Sequence, residues 1–165
     1  MTVNTIMLLF LKNLLFTLLI PGSVGFVVPV FLIPHPEARF SVGAIIALLL
    51  LLVGTSIYLW TLIDFARHGR GTPAPIDPPK VLVVRGLYRY SRNPMYLGIL
   101  TVIFGWSLLF LSTTILFYGL SVAIGFHSFI ILYEEPKLMR TFGTAYVEYF
   151  QSVGRWLTLR MRPIS

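Results

Sequence analysis

Long apolar runs alternate with short polar, proline-rich and glycine-rich stretches along this chain, and the runs fall at about residues 14–33, 42–63, 96–111 and 113–133. A helix needs roughly 20 apolar residues to cross the hydrocarbon core of a bilayer. The second and fourth runs reach that length, and the third does so only if Pro94 and Met95 belong to it. The first follows Lys12-Asn13 and contains Pro21-Gly22, which predicts a kink or break inside a span. It lacks the charged, apolar, small-residue order of a signal peptide and is read as a retained span. Spans three and four are separated only by the stretch around Ser112-Thr113-Thr114, which predicts an antiparallel helical hairpin. Beyond the fourth span, Leu138, Phe142, Tyr146, Tyr149 and Val153 recur at three- and four-residue steps. That is helical spacing, with Gly143 placed for a bend and with Lys137, Arg140 and Arg155 on other faces, so the segment reads as a helix at the membrane interface. The expected fold is therefore all-α: one polytopic membrane domain over residues 1–165, with about four transmembrane helices plus a C-terminal interfacial helix.

Composition supports that reading. The 165 residues are 56% hydrophobic and 12% charged, with a mean hydropathy of +0.83, too apolar for a soluble domain of this length. The absence of cysteine excludes disulfides, thiolate nucleophiles and cysteine-ligated metals. The net charge of +7 is distributed unevenly. With four spans, Lys12, the basic residues from Arg67 to Arg92 and those from Lys137 to Arg162 share one side of the membrane, and Arg39 alone lies on the other. By the positive-inside rule that side is the cytoplasm and holds both termini, and a prokaryotic inner membrane is the expected setting. The basic excess is thus explained by topology and by attraction to anionic headgroups, without a nucleic-acid partner.

Candidate chemistry gathers on the same side. Asn is a favoured N-cap and Pro a favoured first helical residue, so span three is predicted to start at Asn93-Pro94. A helix start offers backbone N–H groups and a positive dipole end to a carboxylate or phosphate, and Arg92 adds a fixed cation beside it. The same residues also fit a capped helix whose arginine reaches lipid phosphate. Glu134-Glu135 stand at the end of span four in a chain with only six acids. There the helix dipole disfavours them, so a cationic partner is expected, either Arg92, Arg89 or Lys137, or a ligand. His127 precedes Glu134 by seven residues, which places both on nearly the same helix face; it is either functional or bonded to Ser121 or Ser128. Asp64 is placed to pair with Arg67 or His68 one turn later. His35 and Glu37 share a short loop and make no metal site, and the three histidines do not group as ligands, so no metal is expected. Glycine-rich phosphate loops and nucleophile elbows are absent from the sequence.

At these two segments the chain resembles the membrane methyltransferases that include isoprenylcysteine carboxyl methyltransferases and phospholipid N-methyltransferases. The resemblance rests on Lys80-x-Leu82-Val83, Gly86-x-Tyr88 and Arg92-x-Pro94-x-Tyr96-x-Gly98. It continues in Glu134-Glu135-x-x-Leu138, Phe142-Gly143-x-x-Tyr146-x-x-Tyr149 and Val153, so that it covers about residues 73–156. It implies S-adenosylmethionine as cofactor and a lipophilic or lipidated acceptor drawn from membrane lipid. By position, the cofactor would touch Lys80, Val81, Leu82, Val83, Tyr88, Asn93, Pro94, Met95, Tyr96, His127 and Glu134, and Arg92, Glu134 and Glu135 would carry the chemistry. A carboxylate acceptor would need no base, whereas an amine would draw on Glu135 or His127. Members specific for prenylcysteine usually carry His where Asn93 stands and an arginine where Ile130 stands. The acceptor therefore stays open between a carboxylate, a phospholipid or other amine, and a small thiol, and a non-catalytic scaffold of the same fold is the remaining alternative.

Overall fold

In the computed structural model the described residues are 11–12, 14–33, 42–68 and 80–158. The loop carrying His35, Glu37 and Arg39, the glycine-proline stretch before Lys80, and Arg160 and Arg162 lie outside them. Every regular element among the described residues is helical. We name α1 (Leu14–Phe31), α2 (Val42–His68), α3 (Pro94–Leu109), α4 (Thr113–Phe129), α5 (Glu135–Phe142) and α6 (Thr144–Ser152). A π-helical turn, Ile130–Glu134, joins α4 to α5, so the two run on as one long apolar rod, Thr113–Phe142. The protein is an all-α polytopic membrane protein: α1, α2 and that rod are long and apolar enough to cross a bilayer, and α3 is a shorter apolar helix.

Pro94 does open α3, whose 16 residues extend only about 24 Å at 1.5 Å per residue. A helix that short is supported by its neighbour, and α2 lies against it at backbone distance. A Cβ on Gly54 would stand 2.7 Å from the carbonyl oxygen of Gly98, and one on Gly98 would stand 2.8 Å from that of Gly54. In lipid, where apolar side chains gain nothing by leaving solvent, such close approach through small residues is what holds two helices together. The α3–α4 hairpin turns at Ser112, whose Oγ accepts the N–H of Ile115 at 3.3 Å and caps α4.

The predicted break in α1 is a π-helical stretch, Leu18–Val27, with Pro21 inside it. Proline has no N–H to give to the ladder, and the wider turn accommodates that loss. Tyr58 on α2 donates to Thr17 Oγ1 at 2.9 Å, and Tyr118 on α4 donates to the carbonyl of Val24 at 3.0 Å, so two polar side chains within the membrane region tie α1 to the bundle. At the C-terminal end the single bent helix of the sequence reading is two helices, separated at Gly143 with φ +54° and ψ −129°. Their apolar face turns inward. Tyr146, Tyr149 and Val153 are buried against Leu82, Val84, Leu138, Phe142 and Phe150, which docks α6 onto the segment leading into α3.

Candidate functional site

Where α1, α2, α3, the α4–α5 rod and α6 converge, they enclose a cavity of about 440 Å³. Its polar lining is Arg92, Asn93, Glu134, Glu135, Lys137, Tyr146 and Tyr149. Its apolar lining includes Phe16, Ile20 and Val24 of α1 with Ile99 and Phe126, and the Phe126 ring lies 4.6 Å from that of Tyr96. Leu82, Val83, Tyr88, Met95 and Tyr96 complete the wall.

Arg92 and Glu135 form a buried ion pair, Nη1 to Oε1 at 2.9 Å, with side chains only 6% and 8% exposed. The Arg92 guanidinium lies 4.0 Å over the Phe150 ring and reaches the Tyr146 hydroxyl at 3.5 Å. Its Nε is buried without a hydrogen-bond partner. Glu135 also takes a fork from Arg155, Nε to Oε1 at 2.8 Å and Nη2 to Oε2 at 2.9 Å. These bonds raise the Arg155 pKa further above its ordinary high value. Glu134 is turned elsewhere and accepts the Tyr96 hydroxyl on Oε2 at 2.9 Å. Tyr149 donates to the carbonyl of Tyr88 at 2.7 Å. Burial pushes the phenols of Tyr88, Tyr146 and Tyr149 up, so these groups stay neutral.

Several expectations need correcting. Asn93 occupies the N-cap position of α3 but makes no side-chain cap; its Nδ2 donates to the carbonyl of Arg155 at 3.0 Å, and its N–H goes to Ser91 Oγ. The start of α3 therefore meets the cavity without a side-chain cap. His127 does not share a face with Glu134, because the π turn between them adds about one residue, roughly 100° on the helical wheel. His127 is exposed outside the cavity wall, stacked on Trp156 at 6.1 Å and accepting its Nε1–H at 3.3 Å, so neither Ser121 nor Ser128 is its partner. Lys80 and Val81 are exposed and, like Pro94, stand off the wall. The His68 ring meets the main-chain oxygen of Asp64 at 3.0 Å, not its carboxylate, whose Oδ2 is buried without a hydrogen-bond partner. Ile130 is fully buried.

The structure thus brings Leu82, Val83, Tyr88, Arg92, Asn93, Met95, Tyr96, Glu134 and Glu135 onto one cavity. Sequence reasoning missed Arg155, Phe150 and the α1 wall. Only the polar Thr17 and Tyr58 in otherwise apolar spans signalled that α1 docks there. The chemistry on offer is a fixed cation beside an uncapped helix start for an anion, and a carboxylate for a cation or hydroxyl, in a cavity whose wall is otherwise largely apolar. No cluster of three His, Asp or Glu fit for a metal occurs among the described residues.

Residues 42–145 match the family model described as phospholipid methyltransferase. The chain is also similar to the protein-S-isoprenylcysteine O-methyltransferase of Saccharomyces cerevisiae, with 39% identity over 74 residues, 45% of this chain and 31% of the yeast protein. The match thus spans about a third of that relative's length. No solved structure matches the chain.

Proposed function

The chain belongs to the phospholipid methyltransferase family, and on that premise we infer that it transfers a methyl group from S-adenosylmethionine to a lipophilic acceptor taken from the membrane. The observation that carries this reading is a single cavity lined both by the charged Arg92 and Glu134 and by the apolar Phe16, Ile20 and Phe126. The charged residues fit the cofactor's amino-acid part. A buried Arg92 Nε without a partner and the uncapped start of α3 suit its carboxylate, and Glu134 suits its ammonium or a ribose hydroxyl. Tyr88 and Tyr96 supply ring faces for adenine or the sulfonium. Bound there, the cofactor would supply a methyl group on an already activated leaving sulfur.

The protein's own contribution is then placement. Holding donor and acceptor in line is worth about 7–11 kcal/mol when the geometry is right. The donor enters at the end rich in basic residues, which we take as cytoplasmic, together with the N- and C-terminal ends.

The acceptor is best read as an amine or phospholipid headgroup. Ile130 is wholly buried and apolar where the prenylcysteine enzymes resembled here carry a cation, so a carboxylate acceptor lacks that partner. Glu135 is held by two arginines and His127 stands outside the cavity wall, so neither of the bases expected from the sequence is free to serve an amine there. Calorimetric titration of Arg92→Ala and Glu134→Ala with S-adenosylhomocysteine tests the donor site: both variants are expected to lose binding while remaining folded, and wild-type affinity in both defeats the reading. Methyl-labelled cofactor given to membranes tests the acceptor, since an ester releases base-labile volatile label and an N-methyl lipid retains it.

A further inference from the structure

Residues 154–158 leave the end of α6 and run back along residues 90–93, the approach to α3. Gly154 accepts the N–H of Arg92 at 3.0 Å, and Thr158 donates its N–H to Tyr90 at 2.7 Å. The carbonyl of Arg155 accepts both Ser91 Oγ at 3.2 Å and Asn93 Nδ2 at 3.0 Å. The Arg155 side chain meanwhile takes both oxygens of Glu135, and Oε1 of that same carboxylate holds Arg92. A closed circuit results: the backbone at residues 91–93 is fixed by the segment around Arg155, whose side chain fixes Glu135, which fixes Arg92.

The circuit also sets the charge. Two guanidiniums share one carboxylate, so the cluster keeps a net positive charge instead of forming a neutral pair. Glu135 has both oxygens occupied by Arg155, and Arg92 meets it through Nη1 alone. Without Arg155, both oxygens would be free to draw the Arg92 fork into a flat two-point pair, turning it from the cavity and cancelling its charge.

We propose that Arg155 is a positioning residue for the anionic end of the ligand: it holds Glu135 so that Arg92 keeps a one-point contact with that carboxylate and the three-residue cluster keeps its net positive charge for a carboxylate in the cavity. Arg155 lies beyond residues 42–145, the segment that matches the family model. The inference rests on the reading that the cavity takes a cofactor bearing a carboxylate. At 26% exposure the side chain is reachable by substitution without opening the apolar core.

The test titrates the full chain in detergent with two ligands, S-adenosylhomocysteine and 5′-methylthioadenosine, which share the adenosine and sulfur, the second lacking the amino-acid end with both its carboxylate and its ammonium. Arg155→Gln is expected to weaken S-adenosylhomocysteine roughly tenfold, the scale of one charge-assisted hydrogen bond, and to leave 5′-methylthioadenosine unchanged. Arg155→Lys, which keeps the charge but cannot bridge both oxygens, should fall between, and it repeats the comparison should the Gln variant not fold. Equal losses for both ligands, or no loss for either, would overturn the positioning role alone. A wild-type chain that binds neither ligand overturns the cofactor reading and the positioning role with it.

Discussion

Tyr96 donates its phenol proton to Glu134 across 2.9 Å, joining the first turn of α3 to the far end of the π turn that follows α4. Both side chains line the cavity, so this bond fixes the acid that faces the ligand. Tyr96→Phe keeps the ring and removes only the hydroxyl. The expected result is roughly tenfold weaker binding of S-adenosylhomocysteine, from the loss of one bond to a charged group. An unchanged calorimetric titration in the folded variant would remove Glu134 from the ligand's contacts.

The two adjacent acids should behave differently when altered. Glu135→Ala leaves the buried Arg92 without its counter-charge, and breaking a buried pair in this way costs about 3–5 kcal/mol. A large fall in Tm in detergent is therefore expected. Glu134→Gln, which has only a tyrosine to keep, should retain Tm within a few degrees while losing ligand affinity. Equal Tm losses for the two variants would contradict the division of labour between them.

Gly98→Leu probes the crossing of α2 and α3. A Cβ at this position already meets the Gly54 carbonyl at 2.8 Å and the Tyr58 N at 2.9 Å, both of them backbone atoms with no room to move. Overpacking typically costs about 1–3 kcal/mol, and here the helices must also separate, which widens the cavity beside Tyr58. Loss of thermal stability together with ligand affinity is expected. A stable variant with normal binding would show that the close crossing does not shape the site.

His127→Ala should change stability by no more than about 0.5 kcal/mol, the usual range for surface substitutions, and leave methyl transfer intact, because the ring stacks on Trp156 outside the cavity. A drop of a hundredfold in the methyl-transfer assay would place His127 in the reaction after all.

The spans, the hairpin at Ser112 and the helix start at Pro94 were legible in the sequence because each depends on local composition or on a few adjacent residues. The gathering of Arg92, Tyr96 and Glu134 was legible through a resemblance to known motifs. What the sequence hid was long-range or irregular. Asn93 carries the mark of an N-cap, yet its amide goes to a carbonyl 62 residues away, a competitor that no local rule can weigh. His127 and Glu134 have the spacing of one face, but that inference assumes an unbroken α repeat. The aromatic run of α6 read as part of a helix at the membrane interface, in the absence of any local sign that Leu82 and Val84 would come to cover it.

The π turn at Ile130–Glu134 has an evolutionary consequence. It works as a register shift, turning both carboxylates together relative to α4 by about one residue, so that one meets a tyrosine and the other two arginines. Deleting a single residue within it would restore the ordinary helical repeat without removing either acid. The chain would then have to hand Arg92 a different neighbour or rotate everything beyond the turn, so at this point of the fold a change of length is a harsher mutation than most changes of residue.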